Sequence, residues 1–326
     1  MTEAAPDVLV IGAGVSGLSS ALALLGAGLR VTVYAARPPH LTTSAVAGAL
    51  WGRHLVGADE RVARWADLTL GRLRELAADP VSGVTELPGT AASLDHDEPP
   101  PEFVRGAGTP VRCQPADLPP GYASGWRYTA PVVTMPSYLD YLSGQLASKG
   151  GELHLGPPLG GLPQALARSA APVIVNCTGI GARDLVPDPA LVPVRGQVVV
   201  VANPGLSEFF VGEREHPEES TYYFPHGATA LLGGTEQAGN SDLRPDPVQA
   251  ERIVQECALA EPRLAGAMVL AHRVGLRPVR PAVRLEAQPA GDGRFVIHNY
   301  GHGGAGVTLS WGCAQDVAEA AVRLLG

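Results

Sequence analysis

The chain has 326 residues, 45% hydrophobic and 17% charged, enough for one large or two medium domains around a substantial buried core. A formal net charge of −8 excludes nucleic acid or an anionic membrane surface as the main partner; of 24 basic residues only Lys149 is a lysine. Cys113, Cys177, Cys257 and Cys313 form no CxxC pair and have no metal-ligand spacing, so free thiols and no metal site are expected.

No segment reaches the roughly 18 uncharged apolar residues that span a bilayer. The start, Met1 to Asp7, lacks the basic region of a signal peptide, and Arg323 to Gly326 is not a peroxisomal address. Cytoplasm is the location expected by elimination. The assembly is not legible in the sequence, and a homodimer is one that it permits.

Along the chain, Val8 to Ile11 is a short apolar run followed at once by glycines, which predicts a buried parallel strand. Residues 15–27 are rich in Leu, Ala and Ser and predict a helix stopped by Gly28, and Val31 to Tyr34 predicts a second strand. Residues 80–126, with Pro99, Pro100, Pro101, Pro119 and Pro120, read as loops and short strands. Pro136 to Lys149 predicts a helix stopped by Gly150, and Val173 to Asn176 another buried strand. Residues 194–235 alternate like antiparallel strands, Pro247 to Ala260 predicts a helix, and residues 307–325 a closing helix.

Gly12-Ala13-Gly14-Val15-Ser16-Gly17 stands between the first strand and the first helix, the context in which GxGxxG binds a dinucleotide. Gly12 permits the tight turn, Gly14 admits a pyrophosphate at the positive helix end, and Gly17 allows close helix–strand packing. Ala21 and Gly28 extend the spacing to the form usual in FAD-binding folds. A nicotinamide cofactor would need an acidic ribose partner near the end of the second strand, but that strand ends Tyr34-Ala35-Ala36-Arg37. The expected fold is therefore α/β. A doubly wound, Rossmann-type FAD-binding domain (1–55, 135–195 and 275–326) is interrupted by a discontinuous, mostly antiparallel β substrate domain (56–134 and 196–274).

A second glycine motif runs from His298 to Gly312, with five glycines in fifteen residues just before an apolar helix. Backbone N–H groups and a helix N-terminus converge there, which stabilises negative charge of the kind a reduced flavin carries.

With these two motifs the chain resembles the D-amino-acid oxidase family over nearly its whole length. The resemblance is carried by Val10 to Ser19, Thr42 to Trp51, Val175 to Gly179, Val194 to Gln197, Leu232 to Thr235, Gly275 to Glu286 and His298 to Gly312, in matching order and spacing. It implies non-covalent FAD. Gly12, Gly14, Val15, Ser16, Gly17, Ala36, Arg37, Thr42, Thr43, Ser44 and Thr178 would face its phosphates, ribose and adenine. Gly48, Ala49, Leu50, Trp51 and Gly52, with Gly303, Gly304, Ala305, Gly306, Val307 and Thr308, would surround the isoalloxazine. An aspartate often stands where this chain has Ala36.

The resemblance also implies an oxidase that converts D-amino acids and O2 to 2-oxo acids, ammonia and H2O2, by hydride transfer from Cα–H to flavin N5. Arg284 is expected to clamp the substrate carboxylate, because a planar guanidinium holds a carboxylate through two parallel bonds. Tyr222 would reach the same carboxylate, Tyr223 the opposite face of its strand, and the Gly304 carbonyl the amine. Arg277 and Arg280 are assigned to structural ion pairs, and His302 to bracing the glycine loop. Relatives carry a further tyrosine on a lid loop, which the shorter His216 to Thr221 segment lacks, favouring neutral and bulky side chains. If Arg53 or His54 instead paired with a substrate carboxylate, D-Asp and D-Glu would be preferred. A D-aspartate oxidase, a glycine- or sarcosine-type amine oxidase and a non-catalytic flavin-binding protein remain open alternatives.

Overall fold

The computed structural model describes residues 5–52, 54–57, 59–213 and 219–326. The chain begins with β1 (Val8–Ile11), α1 (Val15–Gly26), β2 (Val31–Ala35), α2 (Glu60–Ala77), β3 (Val84–Ser93), α3 (Glu102–Ala107) and β4 (Val111–Arg112). There follow β5 (Ser124–Val133), α4 (Met135–Ser148), β6 (Glu152–Leu155), α5 (Leu162–Arg168), β7 (Val173–Asn176), α6 (Ala182–Leu185) and β8 (Val192–Ala202). It ends with β9 (Phe209–Gly212), β10 (Glu219–His226), β11 (Thr229–Thr235), β12 (Gln237–Ala238), α7 (Pro247–Ala260), β13 (Val269–Pro289), β14 (Phe295–His302) and α8 (Gly306–Leu325).

Five strands lie parallel in the order β14-β7-β1-β2-β6. All four residues of β1 and of β7 are buried, as continuous apolar runs must be when both sheet faces are covered. Alternation sends Val8 and Val10 into the core shared with α1, α4 and α8, and Leu9 and Ile11 into a second core containing Ala165 of α5 and Leu185 of α6. This is the expected doubly wound arrangement.

The other half is a largely antiparallel sheet in the order β4-β5-β3-β9-β10-β11-β8-β13, with β3 and β9 the one parallel pair on that path. Ile253 and Cys257 of α7 pack on Val199, Val201 and Leu232 to close one face. The long strand β13 joins the halves. Its first part pairs with β8 as far as Val279↔Val192, and its second with β14 from Arg284↔Tyr300 onward. Between Val279 and Arg284 the ladder is irregular. Residues 275–279 pair with 196–192 at the start of β8, where the chain passes from one half to the other.

Two expectations need correction. Residues 80–126 hold loops and strands as expected, but the strands are not all short: β3 is ten residues long and pairs along its whole length with the ten-residue β5, which begins at Ser124. The prolines at 99–101 and 119–120 fall in the connections, while Pro88 and Pro131 sit inside the strands. The eighteen-residue α2 has no counterpart among the predicted elements. Its Asp59 cap accepts a hydrogen bond from Arg61 N at 2.9 Å, and Val62, Trp65, Ala66, Thr69, Leu70, Leu73 and Leu76 are buried at helical spacing.

Candidate active site

A cavity of about 1170 Å³ runs from the end of β1 between the two halves to the antiparallel sheet. That exceeds the roughly 300–1,000 Å³ of an ordinary small-ligand pocket and suits a dinucleotide together with a substrate. At one end it is lined by Gly12, Gly14, Val15 and Ser16. Gly12 has φ +111°, and a Cβ on it would stand 2.4 Å from the Cys177 carbonyl oxygen. Only glycine fits that turn. Gly14 brings no capping side chain of its own and no acidic residue occupies the first turn of α1, so the positive helix end favours a pyrophosphate. Ser44 Oγ accepts from Val15 N at 3.0 Å, bringing the Thr42–Ser44 segment over the phosphate loop. Ala36, Arg37, Thr42, Thr43 and Thr178 continue the lining. These features fit FAD, with Ala36 offering the ribose no carboxylate.

Farther along, Gly48, Ala49, Leu50 and Gly52 face Gly303, Gly304, Gly306, Val307 and Thr308. Ala49 adopts φ +56°, a left-handed conformation costly for a residue with a Cβ and typical of functional segments. Hydrogen bonds from Val133 N to Ala49 O (3.0 Å) and from Trp51 N to Pro131 O (2.9 Å) hold it there. Thr308 Oγ1 accepts from Gly52 N at 3.1 Å and donates to Gly52 O at 2.8 Å, tying both flavin-edge segments together. The N-terminus of α8 has neither a side-chain cap nor an early acidic residue, so it too presents a positive end. His302 is buried and pushed down to about 4 by that burial, and its Nε2 meets Asn299 Oδ1 at 3.0 Å. A neutral imidazole therefore braces the glycine loop.

At the far end β10, β11 and β13 bring Tyr222 and Arg277 into the cavity wall. Tyr222 lies opposite Gly233, where a Cβ would stand 2.0 Å from the phenol ring. Its ring stacks on Phe224 with centroids 4.8 Å apart. Burial holds its hydroxyl above the ordinary tyrosine range, while neighbouring Arg277 pulls the other way, so Tyr222 remains a donor. Gly196 makes room for Arg277 in the same manner, since a Cβ there would stand 2.5 Å from the guanidinium. Arg277 Nη1 donates to Thr235 O at 2.9 Å. His54 also lines the cavity, its Nε2 2.7 Å from Glu236 Oε1. Leu50, Phe103, Trp126, Val211 and Phe224 add an apolar wall.

Four expected residues lie elsewhere. Arg284 is outside the cavity: its Nη1 donates to Tyr300 Oη at 2.6 Å and its Nε to Glu286 Oε1 at 2.8 Å, so its guanidinium is committed. Gly17 packs against the Gly12 carbonyl, Trp51 is buried with Nε1 donating to Ala66 O at 3.1 Å, and Ala305 is buried at the start of α8. Arg277, assigned to a structural ion pair, instead faces the cavity. The signal for it was the strand glycine Gly196, a mark of close approach. Glu236 was not singled out at all. Arg53 and residues 214–218 of the shortened loop lie outside the described residues. Among the described residues no cluster of metal-ligating side chains occurs, and no helix is long and apolar enough to cross a membrane.

The family model for FAD dependent oxidoreductases matches residues 7–320. A D-amino-acid oxidase of Rubrobacter xylanophilus is 46% identical over 96% of this chain and 95% of its own. One from Streptomyces coelicolor is 42% identical over 97% and 96%. Among solved structures, glycine oxidase from Geobacillus kaustophilus superposes with a TM-score of 0.81, covering 98% of this chain and 95% of that one, at 20% identity. That likeness establishes the fold alone. With the glycine loops, the doubly wound sheet and these full-length relatives in agreement, the chain belongs to the D-amino-acid oxidase family of FAD-dependent oxidoreductases.

Proposed function

We propose that this enzyme oxidises neutral D-amino acids, with O2 as electron acceptor, to 2-oxo acids, ammonia and H2O2. The observation that carries the reading is Arg277 beside Tyr222 in the cavity wall that also presents Gly303 and Gly304. FAD, when bound, supplies the two-electron acceptor for the Cα–H and passes the electrons to O2. The residues of the chain bind and orient. Arg277 holds the α-carboxylate through charge-assisted hydrogen bonds, and Tyr222 donates a further one. The Gly304 carbonyl accepts from the amine. Fixing both ends of the substrate presents Cα in one orientation, which is where positioning contributes most to rate.

Relatives named D-amino-acid oxidase support the D preference. The apolar wall of Leu50, Phe103, Trp126, Val211 and Phe224 favours a bulky side chain, each buried methylene contributing about 0.8 kcal/mol. His54 already has Glu236 as its partner, which argues against its pairing with an acidic substrate side chain. Four free cysteines suit a reducing compartment such as the cytoplasm.

The test is peroxide release by the FAD-loaded protein from paired D- and L-isomers of Met, Leu, Ala and Asp. Turnover of D-Met and D-Leu, faster than of D-Ala and with the L-isomers inert, is expected. Preference for D-Asp by about tenfold or more, or for the L-series, would overturn the reading.

A further inference from the structure

Glu236 follows β11 and is 10% exposed, with His54 Nε2 at 2.7 Å as its one hydrogen-bond partner among the described residues. A carboxylate so far from water ordinarily collects several donors or a cation. Arg277 contributes attraction, but it hydrogen-bonds to the Thr235 carbonyl at 2.9 Å and to Tyr222, not to Glu236. Burial would raise the Glu236 carboxyl, yet His54 and Arg277 together keep it below the ordinary carboxylate range. It is therefore ionised at neutral pH and short of partners.

The other end of the pair lies at the glycine loop. A Cβ on Gly304 would stand 2.6 Å from His54 Cδ2, so the imidazole lies directly on the residue assigned to the substrate amine. The half-exposed imidazole thus stands between Gly304 at the cavity wall and the largely covered Glu236 carboxylate behind it. An α-amino acid arrives as a zwitterion. Its carboxylate has Arg277 and Tyr222; its ammonium has one carbonyl and no charge unless Glu236 supplies it.

We propose that Glu236, presented through His54, is the counter-charge for the substrate's α-ammonium, so that the site recognises a zwitterion and not a carboxylate alone. In the low-dielectric pocket the carboxylate acts without touching the ammonium. The inference rests on Arg277 as the carboxylate clamp, and the experiment separates the two.

The FAD-loaded enzyme is titrated with 2-aminoisobutyrate, which has no Cα–H and cannot be oxidised. Pivalate, with methyl in place of ammonium, is the control, and the visible absorbance of the flavin reports binding. Glu236→Gln should cut the preference for 2-aminoisobutyrate over pivalate by roughly tenfold while leaving pivalate binding within about twofold. His54→Ala should act in the same direction, and it decides the question if the first variant does not fold. A preference unchanged within about twofold in the variants overturns the proposal. Arg277→Ala should weaken pivalate; if it does not, the clamp reading fails while the Glu236 comparison still stands or falls by its own result.

Discussion

Arg277 and Arg284 belong to one Arg-Pro-rich run, yet one guanidinium lines the cavity and the other is bonded to Tyr300 and Glu286. Sequence pattern could not tell them apart, because the irregular ladder between Val279 and Arg284 breaks the alternation by which facing is read. The strand glycines were the better guide: Gly196 and Gly233 mark where Arg277 and Tyr222 need room. We predict that Arg277→Ala lowers kcat/KM for D-Met by more than about a hundredfold, since an unpaired buried carboxylate costs roughly 3–5 kcal/mol. Arg284→Ala should leave kcat/KM within about threefold and lower thermal stability, because it removes the hydrogen bond to Tyr300 that ties β13 to β14 and the one to Glu286 within β13. Steady-state kinetics and a melting curve on both variants check this. Equal kinetic losses would return Arg284 to the site.

Elements were legible where pattern is local. α1, α4, α7 and α8 follow from apolar periodicity and stop residues, and the phosphate loop from its strand–glycine–helix context. α2 was missed, although its Asp59 cap and the apolar spacing of Val62, Trp65, Ala66, Leu70, Leu73 and Leu76 are signals just as local. By contrast β3 and β5 carry interior prolines and glycines, and only their pairing along ten residues makes them strands. The pairing of β10 with β11 also sets Tyr222 against Gly233. Gly233→Ala should push the ring aside, lowering kcat/KM by roughly tenfold or more, while the remote phosphate loop keeps FAD affinity within about threefold. A fluorescence titration with FAD, beside the kinetics, separates these effects. Loss of FAD binding in step with activity would show that the two ends of the cavity are not independent.

For the whole molecule, the family and the doubly wound fold were readable because two motifs near opposite ends of the chain meet in one cavity. The His54–Glu236 pair was not, since it joins residues distant in sequence and without a motif. Folding also leaves His226, His298 and His302 pushed down to about 4, burial being the leading cause in each. Their unfolded values lie near 6.5, so between about pH 6.5 and 4 the unfolded chain binds more protons and stability must fall as pH falls. For His302 alone this amounts to roughly 3 kcal/mol across that window. His302→Asn should flatten the decline of melting temperature over that range, and an unchanged slope would show that His302 is charged in the folded protein. The most direct test of the central claim is anaerobic mixing of the FAD-loaded enzyme with D-Met or L-Met, following visible flavin absorbance. Bleaching by D-Met alone, slowed at least about a hundredfold by Arg277→Ala, is the expected result; bleaching by L-Met, or none by either isomer, would contradict it.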